Sequence, residues 1–381
     1  MKIRTITTGI TFNSGIDVEK IEQVAEFNQQ AKKQFEQNGY EIQTTRIATN
    51  SWEEYLSDLH YNKVLEEITK IENNCKRYDV DNFNIGYSQS PGLIKLIPQI
   101  ITNSPIISCS TKIGDSEKGM DDRAIRASAE VIKQLSETTP GGLGNFQYCA
   151  WVNCPPGIPF FPTAYHKGET SFGIGLECSD LVMKTFSHSK DLNEASELLD
   201  EILEKEFSEV AAIAENVEKI FDIPFRGIDT SIAPSLDPKE SIAYAYEKFG
   251  IDKFGHAGTL TLSSLITQVI KQLSVKTTGF CGLMLPVSED VGLAERVSEG
   301  TLNLSNLLLY SSVCGTGLDT IPIPGDTSID KIEAILRDVA TLAIQLNKPL
   351  SARLLPVPGK KAGEMTSFDS PYMVESKIMD V

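Results

Sequence analysis

The sequence predicts an α/β protein, a largely parallel or mixed sheet covered by helices. Three observations predict it. Strand-like runs alternate with helical periodicity along most of the 381 residues. One long amphipathic pattern divides the chain into two halves of similar length with the same alternation. A hydrophobic share of 41% with 23% charged residues suits a folded core rather than a disordered chain.

Residues 3–10 alternate as a strand, and Asp17 opens a helical pattern through Val18, Ile21, Val24, Ala25 and Phe35, closed by Asn38-Gly39. Residues 41–48 form a second strand. Ser51 with Glu54 reads as a capping box opening a helix that runs to Arg77. A strand near 83–87 leads through Pro91 to a short helix ending at Ile101, and a strand over 106–111 leads to a helix over 121–137. Residues 145–153 read as a strand that empties into Cys154-Pro155-Pro156-Gly157-Ile158-Pro159-Phe160-Phe161-Pro162 and ends at Tyr165-His166. Its prolines exclude helix and central strand. Such a stiff loop either walls a ligand pocket with Phe160 and Phe161 or packs those rings into the core.

A strand over 171–178 precedes the longest helix, 191–221, whose stripe runs through Leu199, Ile202, Phe207, Val210, Ala214 and Val217. The second half begins with a strand ending at Asp229, then a loop over 230–234 and a helix near 238–249. The turn Gly255-His256-Ala257-Gly258-Thr259 leads to a helix ending at Leu273. A strand over 279–286 meets Val287-Ser288-Glu289-Asp290 as a helix start. Helices over 302–310 and 328–347 and a strand over 350–356 complete a single domain: a first half of about 1–190, the long helix, a second half of about 226–357, and a polar tail over 358–381.

The best active-site candidate is the stretch from Tyr310 to Thr327. Cys314 is followed by Gly315, Gly317 and Asp319, and Pro324-Gly325-Asp326-Thr327 turns into a helix whose N-terminus favours anions. A thiolate stabilised by nearby N–H groups, with His256 or His166 as base, would be a nucleophile. The competing reading is structural: glycines for turns, a capping aspartate, a buried thiol. Asp229, Glu289, Asp290, Asp319 and Asp326 fall near strand ends or helix starts, where clustered carboxylates do acid–base work or hold a hard cation. Glu289 and Asp326 equally suit helix capping. Arg353, Lys360 and Lys361 supply cations for an anionic substrate.

A net charge of −17, from 52 acidic and 35 basic residues, opposes nucleic-acid and anionic-membrane partners. No apolar run is long enough to span a bilayer, and the first ten residues read as a strand rather than a signal peptide. Seven cysteines without short paired spacing suit a reducing cytoplasm. Four histidines without paired spacing, and no Cys-x-x-Cys, argue against zinc. Gly142-Leu143-Gly144 follows a helix and lacks the third glycine of a dinucleotide fingerprint, so NAD is not expected. No phosphate-binding Gly-x-x-x-x-Gly-Lys-Ser/Thr run occurs.

Several phrases together carry a resemblance. Pro286-Val287-Ser288-Glu289-Asp290, Gly317-Leu318-Asp319, Ile323-Pro324-Gly325-Asp326-Thr327 and Pro356-Val357-Pro358-Gly359-Lys360-Lys361 resemble those of domain-of-unknown-function family 711. The resemblance extends to Asp229 through Pro234, to Gly258-Thr259 and, more loosely, to the proline-rich loop. It implies a ten-stranded α/β barrel of two five-stranded halves, similar to pyruvate formate-lyase and ribonucleotide reductase, and a homodimer; it implies no reaction. No glycyl-radical loop is found near the C-terminus. The leading expectation is a cytoplasmic enzyme acting on a small anionic metabolite by polar chemistry, using Cys314, Asp319, Asp229 and His256. Arg353, Lys360, Gly315, Gly317, Thr327, Phe160 and Phe161 would bind substrate. A non-catalytic metabolite-binding or regulatory homodimer is one alternative. A metal-dependent enzyme using Asp229, Glu289, Asp290 and Asp326 for a divalent cation is the other.

Overall fold

Ile-, Thr- and Ser-rich runs become strands here because both of their faces find cover, as parallel sheets require. The computed structural model describes residues 1–56 and 61–381. Its strands are β1 Lys2–Ile10, β2 Ile42–Thr49, β3 Asn82–Ser88, β4 Ile107–Asp115, β5 Gly119–Met120, β6 Tyr148–Val152, β7 Ser171–Glu177, β8 Phe225–Asp229, β9 Gly317–Pro324 and β10 Leu350–Val357. They form one ten-stranded sheet in the order β8-β7-β1-β2-β3-β4-β6-β10-β9, with β5 paired to β4. β1, β2, β3, β4 and β6 run parallel. β7 and β10 join them antiparallel at either side and carry β8 and β9 as parallel partners. The fold is therefore mixed α/β, as the alternation predicts.

Alternation along β6 shows how the sheet divides its residues. Tyr148, Ala150 and Val152 face the main core beneath the helices, whereas Cys149 and Trp151 face a second apolar cluster with Cys154, Ile158, Tyr165, Ala233, Phe280 and Met284. The helices lie where capping residues place them. Asp17, Asp121, Asp191 and Ser328 accept first-turn N–H groups of Val18–Gln37, Asp122–Thr138, Leu192–Phe221 and Ile329–Gln345.

Several expectations need correction. Ser51 caps nothing: its hydroxyl donates to Tyr87 O at 2.6 Å, and the helix after it is only Trp52–Tyr55, distinct from Tyr61–Arg77. Part of the expected continuous helix, 57–60, lies outside the described residues. Residues 279–286 form isolated bridges rather than a regular strand. Asp319 lies inside strand β9, not in a loop after a strand. The polar tail contributes Phe368, Met373 and Ile378 to a third apolar cluster against Leu355 and Val357. A helix over Ser179–His188 also went unread in the sequence.

The segment 276–286 links the two edges of the sheet. Ile228 pairs with Thr277 and Ile232 with Leu283 beside β8, and Pro286 pairs with Asp319 of β9, all in the parallel sense. Asp229 organises this seam. Its fully buried carboxylate accepts from Ser231 Oγ (2.6 Å), Ser231 N (3.1 Å), Phe280 N (2.8 Å) and Cys281 N (3.0 Å). Desolvation nonetheless pushes its pKa up. Gly279, at φ +92°, permits the approach, since a Cβ there would strike the Asp229 carboxylate. Asp229→Ala strands three buried N–H groups and should lower unfolding stability by about 3 kcal/mol or more. An unchanged melting temperature would show that the seam does not depend on this carboxylate.

Candidate functional site

The proline-rich loop does not project away from the sheet; it lies across one face. Thr7 Oγ1 donates to Pro159 O (2.8 Å), Asn84 Nδ2 to Pro162 O (2.8 Å), and His166 N to Thr49 O (2.9 Å). Prolines leave these carbonyls free to accept while offering no N–H of their own. The two rings have different surroundings. Phe160 packs against the second apolar cluster, and Phe161 covers Arg46, whose Cζ lies 5.1 Å from the ring centroid. Trp151 and Tyr165 stack at 5.4 Å and 8°, anchoring the end of the loop.

Toward the start of β1 lies a network of charges that the sequence scatters over the whole chain. Glu289 bridges two guanidiniums, accepting Arg353 Nη2 at 2.6 Å and Arg4 Nη2 at 2.7 Å. Arg4 Nη1 also reaches Glu177 Oε2 (2.6 Å), and Arg353 Nε reaches Asp319 Oδ1 (2.6 Å). Phe146 lies 4.7 Å from Arg353 Cζ. Burial opposes charge on Arg353, but Asp319 and Glu289 outweigh it and hold its pKa above the usual range.

Arg46 is different. Its Nε donates to Thr44 Oγ1 at 3.0 Å, but among the described residues neither terminal nitrogen has an acceptor. Desolvation, then the Arg4 charge, pushes its pKa down to about 9, against the pull of Glu289 and Asp81. It is half-buried and keeps some accessible surface beside Phe161. A guanidinium with unused coplanar donors is a fork for a carboxylate or phosphate.

Of the expected site residues, Arg353, Asp319 and Glu289 come together and Phe161 covers the neighbouring Arg46; the others do not join them. Arg353 is engaged by carboxylates instead of standing free for a substrate. Cys314 is 1% exposed in the main core, and Lys348 Nζ donates to its carbonyl and to Ser311 O and Ser312 O. Gly315 presses against Gly282, so this glycine run lets two backbones touch. Gly317 begins β9. His256 is 44% exposed with Nδ1 3.1 Å from Asp252, and among the described residues no hydrogen bond joins it to Cys314. Asp229 serves the seam.

Asp290 caps Val291–Glu299 through Leu293 N (3.0 Å) and accepts Ser241 Oγ (2.6 Å) and Ile242 N (2.6 Å); burial pushes it up to about 6. Asp326 is exposed, Thr327 buried, Lys360 half-buried and Lys361 exposed, all around the turns after β9 and β10. Among the described residues, no three His, Cys, Asp or Glu side chains converge as a metal site. The proposed metal set is thus divided between a seam, an ion-pair network, a helix cap and the surface.

Sequence reading missed Arg4, Arg46, Glu177 and Phe146. A signal existed for Arg46, a full charge inside a run of β-branched residues predicted as strand. The thiols nearest this region are poor nucleophiles: desolvation pushes Cys149 up to about 12 and raises Cys154 as well. An open cleft of about 630 Å³ lies elsewhere, lined by Gln23, Phe27, Tyr78, Phe221 and Ile223.

His166 pins the loop to the sheet. Its Nε2 lies 2.8 Å from Glu169 O, its ring covers Gly9, and a gap of about 10 Å³ separates it from Thr7, Arg226 and Gly173. Desolvation lowers its pKa; the Glu169 carbonyl opposes this, and the Arg226 and Lys20 charges add to it. The folded site therefore favours neutral imidazole. Its contribution is fully present above the ordinary histidine pKa of about 6.5 and is lost as pH falls below it. Amide exchange at Gly157, Ala164 and His166, corrected for intrinsic rates, should quicken between pH 7.5 and 5.5. His166→Gln should flatten that dependence, and a pH-independent wild type would refute the role.

Comparison with known proteins places this arrangement in a family. The chain matches "Uncharacterised ACR (DUF711)" over residues 1–370. A UPF0210 protein of Clostridium perfringens strain 13 is 30% identical over 293 residues, covering 74% of this chain and 65% of that protein. One from Leuconostoc mesenteroides is 29% identical, covering 72% and 63%, and one from Oenococcus oeni is 27% identical, covering 96% and 88%. This chain thus spans slightly under two thirds of the first of these relatives. The anaerobic ribonucleotide reductase of Thermotoga maritima, solved with dATP and CTP, superposes with a TM-score of 0.41 at 10% identity, covering 92% of this chain and 75% of that one. The family match, with the UPF0210 relatives, makes this chain a member of the DUF711 (UPF0210) family.

Proposed function

We propose that this protein holds a small anionic metabolite between the proline-rich loop and the charge network, with Arg46 as its anchor, and acts on it by polar chemistry. One observation carries the reading: among the described residues Arg46 has two terminal nitrogens without an acceptor, while Arg4 and Arg353 are both engaged by carboxylates. An unpaired cation in a desolvated setting is costly unless a ligand completes it. The segment 276–286 would close the sheet into a ten-stranded barrel around that ligand. Asp319 is the candidate general base, because Arg353 engages its Oδ1 and, among the described residues, no hydrogen bond is made to Oδ2. Arg353 acts through Asp319 by orienting it.

A second reading, a binding protein that does no chemistry, is favoured by the protonated thiols and by the ion pairs that occupy both Glu289 oxygens. Recovering the ligand unaltered after prolonged incubation would select it. A cytoplasmic homodimer remains part of the proposal, and native mass spectrometry at twice 41.9 kDa tests the dimer.

Arg46→Met separates binding from folding. It should raise the melting temperature of the ligand-free protein, by about 1–2 kcal/mol in stability terms, because it removes an uncompensated charge. It should also abolish any small anion released by denaturing the freshly purified wild type. A variant that is less stable and retains the same released anion would overturn the role of Arg46. Once a substrate is in hand, Asp319→Asn should keep binding and lose about 100-fold or more in turnover; full activity would exclude Asp319 as base.

A further inference from the structure

The outer helix layer carries a face without charge. Charged residues make up 23% of the chain, yet none occurs over 259–270, 300–318 or 339–347. Folding brings these runs together, because helix Leu304–Ser311 packs against both Thr259–Ile270 and Ile329–Gln345. Three of the four exposed leucines among the described residues lie on them: Leu260 (36%), Leu309 (51%) and Leu346 (46%). Leu265, Leu308 and Leu342 are half-buried beside the core.

The neighbouring surface has the opposite character. Helix Leu192–Phe221, which also packs against Thr259–Ile270, exposes Glu197, Asp200, Glu201, Glu209 and Glu215. On a chain of net charge −17, a second copy approaching through such a face would set acid against acid. The charge-free face removes that repulsion. It offers leucines that a like face can cover.

Charges at the two ends of Thr259–Ile270 select the direction of pairing. Outward positions recur at Leu260, Ser264, Gln268 and Lys271, so the exposed Lys271 closes one end of the face. In the turn before the helix, Asp252 is 81% exposed and lies 3.1 Å from His256 Nδ1. A helix lying across a two-fold axis meets its copy antiparallel, which brings each Lys271 toward the partner's Asp252 and opposes the two helix dipoles favourably. Parallel pairing would set lysine against lysine and aspartate against aspartate.

Resting on the homodimer put forward above, we propose that two copies of the chain meet through this face, antiparallel across Thr259–Ile270, with Leu309 and Leu346 covered by the partner. Sedimentation velocity of the full chain over a concentration series tests it. Leu309→Arg and Leu346→Arg, both at exposed positions, should keep the native circular dichroism and raise the dimer dissociation constant by about 100-fold or more. Lys271→Glu and Asp252→Lys should each raise it by about tenfold, and the double variant should return to within about threefold of the wild type. A helix merely destabilised by either substitution would not show that recovery. A wild-type dimer left intact by both arginine variants would overturn this interface while the homodimer stands, and single charge variants without recovery in the double would overturn the antiparallel pairing. A monomeric wild type would remove the homodimer and this inference together, and leave the face to an uncharged partner of another kind.

Discussion

The carboxylate of Glu289 is the constraint on which this region depends. It joins Arg4, near the start of the chain, to Arg353, near its end, and it follows directly from the segment that links β8 and β9. Removing it would leave two buried or half-buried guanidiniums short of a partner, a far larger penalty than losing an exposed ion pair. Ser288, the preceding residue, is tied to Thr320 of β9 and accepts Val374 N from the C-terminal strap. Sheet, linking segment and tail are thus held in register around one side chain.

The opposite side of the site is set by different physics. The loop over 154–166 bonds within itself through Gly157 N, Ala164 N and the Tyr165 hydroxyl, takes further donors from Thr7, Asn84 and Thr278, and packs its rings against Trp151, Phe280 and Met284. A stiff, apolar, proline-rich segment packed this way is pre-organised. The result is an asymmetric setting, apolar on one side and densely charged on the other. Arg46 stands between them, half covered by Phe161.

Much of the fold was legible in sequence because it depends on local periodicity. Asp17, Asp121, Asp191 and Ser328 mark helix starts by the same hydrogen bonds that they make in the structure. Local signals also misled where a residue found a better distant partner. Ser51 reads as a cap but bonds the Tyr87 carbonyl, and Cys314-Gly315 reads as a reactive loop but is a close backbone crossing against Gly282.

Sequence alone determined the α/β class, the order of most elements and the family, and named Asp319, Glu289 and Arg353 only as separate candidates for acid–base work, a cation and a substrate anion. Only the tertiary structure decided what those charges do. Ion pairs between residues 4, 177, 289, 319 and 353 have separations of up to 285 positions, and no local pattern encodes them. The same holds for Arg46. Among the described residues its terminal nitrogens have no hydrogen-bond acceptor, and such a gap becomes visible only when its neighbours in space are known.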